Sequence, residues 1–126
     1  MVTKQFELSG KVALVVGGAT VLGRAIGVAL AEAGADVAFT SLAVNREQEV
    51  AVNSAVNEVW ALGRKGFAAA IDVGDAAQVE AAVRRTADEL RRLDILVNNP
   101  DLPFGKPLAD TTPDEWQRVL TANLSS

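Results

Sequence analysis

Apolar residues along the chain form short continuous runs that alternate with stretches in which they recur every three or four positions. The first run, Val12–Val16, is continuous and rich in β-branched residues, as expected for a parallel strand covered on both faces. Over residues 22–33 the apolar positions follow the helical period, and Gly34 is a natural stop just beyond. The chain is therefore predicted to begin with a strand that leads into a helix.

Three further apolar runs are predicted to be strands, at residues 37–40, 67–71 and 95–97, and each is followed by a helical stretch. Strands separated by helices pair in parallel through right-handed crossovers. We therefore predict a Rossmann-like, doubly wound α/β fold with about four strands in the order 3-2-1-4 and helices on both faces. In such a sheet a ligand crevice lies beyond the carboxyl ends of the strands.

The predicted helices carry recognisable start signals. Asp75 followed by Gln78 resembles a capping box, and Thr112 is followed by proline and then glutamate at the positions that favour a helix start. Trp60 and Trp116 fall on the apolar faces of two of these helices. We interpret both tryptophans first as core residues, with a role in contacting a partner as the alternative.

Composition narrows the range of functions. The 126 residues suffice for one compact domain, taken as residues 1–126. Twelve basic and sixteen acidic residues give a net charge of −4 without a basic stripe, so nucleic acid is not expected as a partner. The lack of cysteine and histidine argues against disulfides and a transition-metal site. No apolar run approaches membrane-spanning length, so we expect no membrane contact and a cytoplasmic location.

Glycines mark the turn between the first strand and the first helix. Gly17, Gly18 and Gly23 lie there, and a missing side chain lets the backbone approach a pyrophosphate while helix N–H groups point at it. A tight turn without a ligand is the alternative. The surrounding strand and helix favour a dinucleotide site, because glycines in that context form the known fingerprint.

This turn resembles the opening signature of the short-chain dehydrogenase/reductase family, TGxxxGxG. The signature falls on residues 16–23, and Gly17 and Gly23 match it. Val16 replaces the threonine and Val21 replaces the middle glycine. The resemblance implies that the phosphates of a dinucleotide lie against this turn.

Two later segments extend the resemblance. LDILVNNPD at residues 93–101 is similar to the family's LDILVNNAG, and TPDEWQRVLTANL at 112–124 resembles the helix that leads to its catalytic asparagine, here Asn123. The similarity runs over residues 8–124 in the same order and spacing. The chain is thus similar to the N-terminal, cofactor-binding half of an oxidoreductase family that acts on alcohols and carbonyls, with the sheet truncated.

The resemblance implies a site for NAD or NADP at the carboxyl ends of the strands. Asp72 and Val73 resemble the pair that ends the third strand, where the aspartate meets the adenine; an exposed carboxylate without a ligand is the alternative. The implied cofactor-binding residues are Gly17, Ala19, Thr20, Leu22, Gly23, Thr40, Ser41, Asp72, Val73, Asn98 and Asn99.

The end of the second strand bears on the choice between the two cofactors. An acidic residue there would accept hydrogen bonds from the ribose hydroxyls of NAD, but Thr40 and Ser41 stand in its place, and Asp36 lies at the opposite end of the strand. The two hydroxyls and Arg46 would suit a 2′-phosphate, although an arginine is also common on a solvated helix face. The sequence therefore favours NADP.

Three departures from the family pattern oppose dinucleotide binding. Val21 brings a branched side chain to the phosphate turn, Pro100 removes a backbone donor, and Asp101 adds negative charge near a pyrophosphate. We expect them to weaken the affinity for the cofactor.

A further expectation concerns the catalytic residues of the family. The tyrosine, lysine and serine that the family uses would follow residue 126, and the chain contains no tyrosine, so we expect no turnover from these residues alone. A non-catalytic regulatory or assembly subunit that kept the fold is the alternative.

A truncated sheet would leave residues 95–97 as an apolar edge, so a homo-oligomer or pairing with another chain is expected, through that edge or the final helix.

Overall fold

The computed structural model describes residues 4–100, 105–121 and 124. Eight principal elements alternate along the chain, and short 3₁₀ turns lie at Lys4–Phe6 and Leu108–Asp110. In chain order the principal elements are β1 (Val12–Val16), α1 (Val21–Glu32), β2 (Asp36–Thr40), α2 (Arg46–Ala61), β3 (Ala68–Ala69), α3 (Ala76–Leu90), β4 (Ile95–Asn98) and α4 (Pro113–Leu120).

The sheet confirms the predicted fold class. Its four strands pair in parallel in the order β3-β2-β1-β4. Val16 at the end of β1 pairs with Thr40 on one side and with Asn98 on the other. The carboxyl ends of the three strands therefore meet at one edge of the sheet, where the predicted ligand crevice lies.

The core fills both faces of β1 and β2. Val15 and Phe39 pack towards α2, whose Val52 and Val56 are buried against them. Leu14 and its neighbours face the other way, towards α3. Strands buried on both faces need continuous apolar runs, which is why β1 reads as an unbroken hydrophobic segment.

Helix α1 lies unusually close to β2. A Cβ atom added to Gly27 would stand 2.1 Å from the Phe39 ring, and one added to Gly18 would stand 2.5 Å from it. The absence of side chains at these two positions allows the ring to lie directly under the first helix. The phosphate turn and α1 are therefore seated on the side chain of one buried residue.

The predicted strand at 67–71 is too long. Only Ala68–Ala69 form β3, because the regular ladder with β2 stops after Ala69. The N–H of Ile71 instead donates to the hydroxyl of Ser41 at 2.9 Å. A side chain thus takes the place of the next ladder bond, which spacing of apolar residues does not reveal. The other three strands and α1 begin and end within one residue of their predicted bounds.

The prediction that the tryptophans are core residues is wrong. Trp60 is 53% exposed and Trp116 is 55% exposed. Trp60 lies at the edge of the α2 apolar face, where its indole N–H donates to the carbonyl of Gly66 at 3.0 Å. Helical spacing placed both residues on an apolar face, but not at the centre of it.

The helix starts are correct in position but differ in mechanism. Thr112 and Glu115 form the expected reciprocal capping box at α4. Asp75 caps α3 by accepting from the N–H of Ala77 at 3.0 Å, whereas the Gln78 side chain does not return to the Asp75 N–H as a capping box requires. Its carbonyl oxygen accepts from the N–H of Asp72 instead, at 2.9 Å.

Neither a membrane-spanning helix nor a metal-binding cluster occurs in the described ranges, 4–100, 105–121 and 124. None of their helices has the length and apolar character needed to cross a lipid bilayer. Within the same ranges, histidine, cysteine, aspartate and glutamate side chains form no group of three that would hold a metal ion.

Candidate functional site

The turn between β1 and α1 is anchored to the end of β2. The N–H groups of Gly17 and Gly18 both donate to the carbonyl of Thr40, at 3.0 and 2.9 Å. Gly17 has a φ of +89°, and a Cβ atom there would lie 2.1 Å from the carbonyl oxygen of Asn99. Glycine is therefore required at this position for both its backbone conformation and its contact with the β4 end.

The hydroxyl of Thr20 locks the turn from within. It donates to the carbonyl of Gly17 at 3.1 Å and accepts from the N–H of Gly23 at 3.0 Å and from Asn99 Nδ2 at 2.7 Å. A threonine hydroxyl has one donor and two acceptor sites, so this group is fully used. The Asn99 amide also donates to the Gly17 carbonyl at 3.2 Å. Thr20 and Asn99 thus hold the turn in shape.

Three backbone N–H groups at this turn, those of Ala19, Val21 and Leu22, have no hydrogen-bond acceptor among the described residues. Val21 and Leu22 are the first residues of a twelve-residue helix, where the peptide dipoles leave partial positive charge. Such an arrangement suits an anion such as a phosphate.

A cleft of about 880 Å³ lies beside these donors. Val21 is 89% exposed at its edge, and Glu47 is the charged side chain among the described lining residues. The lining residues come from the turn, α1 and the start of α2: Ala19, Thr20, Val21, Leu22, Ala25, Leu42, Asn45, Glu47, Gln48 and Ala51. The predicted residues Ala19, Thr20 and Leu22 are therefore brought together in one cleft.

Thr40 and Ser41 lie inside the fold. Both are fully buried, and Ser41 Oγ donates to the carbonyl of Ile71 at 3.2 Å while accepting from its N–H at 2.9 Å. Thr40 Oγ1 has no hydrogen-bond partner among the described residues. The exposed polar side chains nearest in sequence are Asn45 and Arg46. Contact between these two hydroxyls and a cofactor stays a prediction.

Asp72 borders a second cleft, of about 390 Å³. Its side chain is exposed and accepts from the N–H of Gly74 at 2.8 Å, whereas Val73 is buried and donates its N–H to the carbonyl of Leu42 at 3.1 Å. The segments that follow β2 and β3 are thereby joined. The cleft is lined by Leu42, Ala43, Asp72, Gly74, Asp75, Asp114, Gln117, Arg118 and Thr121.

Sequence analysis missed two glutamines that shape the walls of these clefts. Gln48 Oε1 accepts from the N–H groups of Leu42 at 2.8 Å and Ala43 at 3.2 Å. Gln78 Oε1 accepts from the Asp72 N–H, and its amide nitrogen donates to Asp75 Oδ2 at 3.0 Å. This last hydrogen bond, helped by backbone N–H donors, holds the pKa of Asp75 below its usual value.

A signal for these glutamines was present in the sequence. In both cases an asparagine or aspartate at the helix N-cap is followed three residues later by glutamine, as NREQ at 45–48 and DAAQ at 75–78. The repeat of this pattern at two strand ends, rather than either copy alone, distinguishes it from an ordinary helix start.

The remaining predicted residues lie at or beyond the end of β4. Asn98 is exposed and, with Leu96 and Val83, lines an apolar cleft of about 150 Å³. Pro100 is half-buried directly after Asn99. The predicted catalytic residue Asn123 and the predicted unfavourable residue Asp101 lie outside the described residues.

Comparisons with known proteins agree on one family. A family model described as short chain dehydrogenase matches residues 11–126. A short-chain dehydrogenase/reductase of Armillaria gallica is 37% identical over 91% of this chain and 43% of its own length. The 2-dehydro-3-deoxy-D-gluconate 5-dehydrogenase of Pseudoalteromonas atlantica is 36% identical over 98% of this chain and 47% of its own.

A solved structure has the same fold. A short chain dehydrogenase from Burkholderia cenocepacia, crystallised in complex with NADP, superimposes with a TM-score of 0.83 and 38% identity, covering 94% of this chain and 47% of that one. The chain thus spans about half the length of the relatives it matches. Together with the four-stranded parallel sheet and the glycine turn, these matches show that the chain belongs to the short-chain dehydrogenase family.

Proposed function

We propose that this chain is the nicotinamide-dinucleotide-binding portion of a short-chain dehydrogenase, an oxidoreductase acting on alcohol or carbonyl groups. One observation carries the proposal: three backbone N–H groups at the start of α1, those of Ala19, Val21 and Leu22, lack an acceptor among the described residues and lie beside a cleft of about 880 Å³. A pyrophosphate supplies acceptors for such donors. The NADP complex of the Burkholderia cenocepacia relative supports the proposal.

The residues present fit such a cofactor along the edge of the sheet. The unpaired N–H groups would hold the pyrophosphate, and the cleft between Leu42 and Asp72 would hold the adenine, with the exposed carboxylate accepting from its amino group. Thr20 and Asn99 would keep the phosphate turn in shape. The bound nicotinamide ring supplies a hydride acceptor or donor.

A preference for NADP over NAD is a finer part of the proposal. The end of β2 lacks an acidic side chain, and Arg46 is exposed at the first position of α2, next to the residues that line the large cleft. Glu47 beside it would partly offset the attraction of a 2′-phosphate. An Arg46→Ala variant is expected to lose affinity for NADPH more than for NADH, and equal losses would contradict the preference.

The experiment that tests dinucleotide binding is a titration of the chain with NADPH and with NADH, followed by cofactor fluorescence. We expect micromolar binding that tightens in a Val21→Gly variant, because this side chain borders the N–H donors. Val50→Gly is the matched control, since Val50 is a 56% exposed valine of α2 that lines none of the clefts described. No binding by either wild type or Val21→Gly would contradict the proposal.

Catalysis by the chain alone is not part of the proposal. The chain contains no tyrosine to act as the family's general acid, so we propose that it binds the cofactor without turnover. A role for Asn123 in catalysis stays a prediction. Oxidation or reduction of a simple alcohol or carbonyl by the purified chain would contradict this part.

An assembly or regulatory role is the second candidate, favoured by exposed apolar side chains on β4 and in the C-terminal part of the chain. Leu96 on β4 is 60% exposed, and Trp116 and Leu124 are 55% and 79% exposed. We propose that these side chains contact a second copy or another chain. Sedimentation showing only monomer at micromolar concentration would contradict it. A cytoplasmic location stays a prediction.

A further inference from the structure

We propose that Gln48 and Gln78 are positioning residues that preset the two walls of the adenine cleft, so that the Asp72 carboxylate discriminates the amino group of adenine. The inference rests on the proposed function and concerns the same site. It assigns a ligand-linked role to two side chains that would otherwise be taken as helix caps.

The position of the Asp72 wall depends on Gln78. The side-chain carbonyl of Gln78 accepts from the Asp72 N–H at 2.9 Å, and Asp72 Oδ1 accepts from the N–H of Gly74 at 2.8 Å. The backbone and one carboxylate oxygen of Asp72 are thereby fixed, while the side chain remains exposed at the cleft. A fixed carboxylate is a more selective acceptor than a mobile one, because no ordering cost is left for binding.

The opposite wall is held in the same way. Gln48 Oε1 accepts from the N–H groups of both Leu42 and Ala43, which line the cleft. The two walls are joined by the hydrogen bond from the Val73 N–H to the Leu42 carbonyl at 3.1 Å. A substitution at either glutamine is therefore expected to alter the positions of both walls.

A comparison with α4 separates positioning from capping. Glu115 also stands three residues after its N-cap, and its carboxylate accepts from the N–H of that N-cap, Thr112, at 3.2 Å. Gln48 and Gln78 occupy the same helical position but bypass their own N-cap N–H groups. Each reaches a residue three positions before the N-cap, Leu42 or Asp72, and both of these line the adenine cleft.

The test compares NADPH with its 6-deamino analogue, in which hypoxanthine replaces adenine and a carbonyl oxygen replaces the amino group. Wild type is expected to bind NADPH at least about 10-fold more tightly, since the analogue loses a charge-assisted hydrogen bond to Asp72. The Gln78→Leu and Gln48→Leu variants are expected to reduce this ratio to below about 3-fold. Gln5→Leu, at an exposed glutamine that lines neither cleft, should leave the ratio unchanged.

A second measurement needs no ligand. In the free protein, Gln78→Leu is expected to accelerate hydrogen exchange of the Asp72 amide about 5- to 10-fold, the equivalent of one net hydrogen bond, without accelerating that of Leu42 to the same extent. Thermal unfolding of each variant separates this local change from a loss of fold.

The outcomes are distinguishable. A discrimination ratio that stays at the wild-type value in both glutamine variants, or an Asp72 amide whose exchange is unchanged in Gln78→Leu, overturns this inference while the proposed function stands. Failure of wild type to bind NADPH overturns the proposed function and this inference together. A reduced ratio with both variants folded supports it.

Discussion

The two sides of the sheet are packed very differently. On the α1–α2 side, Phe39, Val52 and Val56 are at most 1% exposed, and glycine brings α1 directly onto the Phe39 ring. On the α3 side, Leu96 of β4 lies beside Val83 and is 60% exposed, and α4, which follows β4 in the chain, has no buried residue. The α1–α2 side is a fully covered core, whereas the other side retains apolar surface that the described residues leave exposed.

This difference separates the two ends of the proposed site. The proposed phosphate-binding turn lies on the α1–α2 side. The N–H groups of Gly17 and Gly18 donate to the carbonyl of Thr40, so the buried core determines the shape of this turn. The proposed adenine cleft is bounded partly by Gln117 of α4 and by Thr121 at its C-cap, and therefore by a helix without buried residues. We expect substitutions on the two sides to differ strongly in their effect on stability.

The largest effect is expected where α1 meets the Phe39 ring. Gly27→Ala would place a methyl group 2.1 Å from that ring, and we expect the free energy of unfolding to fall by about 3 kcal/mol in urea denaturation. Gly105→Ala is the control, since a Cβ atom there meets nothing within 4 Å, and it should change stability by less than about 0.5 kcal/mol. Equal effects at the two glycines would contradict the account of this face.

The next largest loss of stability is expected at Thr20, whose hydroxyl holds the turn between β1 and α1 in shape. Thr20→Val removes a hydroxyl that caps α1 and accepts from Asn99 Nδ2, and we expect a loss of about 2 kcal/mol. Thr20→Ser, which keeps the hydroxyl, should recover most of it. In a double-mutant cycle with Asn99→Ala, the two losses should fail to add by about 1 kcal/mol; strict additivity would show that the two side chains act separately.

A pH effect is expected where β1 begins. Asp94 Oδ2 accepts from Arg92 Nε at 2.7 Å and from the Val12 N–H at 2.9 Å, and these bonds, the one from Arg92 foremost, lower the pKa of Asp94. Because the pKa of Asp94 is lower in the folded state, its ionised carboxylate stabilises the fold at pH values above the pKa of an unfolded aspartate, about 4. This stabilisation is lost as the pH falls through the pKa of Asp94 in the folded protein.

Unfolding measured across the acid range checks this. Wild type should lose stability more steeply than Asp94→Asn between about pH 5 and pH 2. Asp75 and Glu115, whose pKa values are also lowered, remain in both proteins and cancel in the comparison. Identical slopes would show that Asp94 does not link β1 to the start of β4.

The smallest effect is expected on the open side. Trp116→Ala should change the free energy of unfolding of the monomer by less than about 0.5 kcal/mol, because the side chain is 55% exposed on a helix without buried residues. The same substitution should reduce self-association if this side is a contact surface. A loss of 2 kcal/mol or more in the monomer, as for a core aromatic residue, would remove the contrast between the two sides.

The architecture was predictable because it depends on patterns that are local in sequence. The continuous run of β1, Gly34 after α1 and the Thr112 cap each specify an element, and alternation of elements then specifies a parallel sheet. The tryptophans were misassigned because a helical period identifies a face but not its width. β3 was overextended because the Ser41 hydroxyl, distant in sequence, takes over a backbone bond.

The site was predictable only in outline. The resemblance placed Thr20 and Asn99 among cofactor-binding residues, but the hydrogen bond from Asn99 Nδ2 to the Thr20 hydroxyl joins residues that are 79 positions apart and is not encoded in local spacing. Gln48 was not singled out and Gln78 was interpreted only as part of a capping box, because each stands in the first turn of a helix. Only the structure shows that their side chains reach the strand ends.

The most direct test of the central claim is a map of backbone amide chemical shifts during titration with NADPH. We expect the largest changes at Ala19, Val21 and Leu22, whose N–H groups have no acceptor among the described residues, followed by Asp72 and Val73 at the proposed adenine cleft. Saturating NADPH that leaves these amides unchanged, or that shifts amides of α3 most strongly, would contradict it.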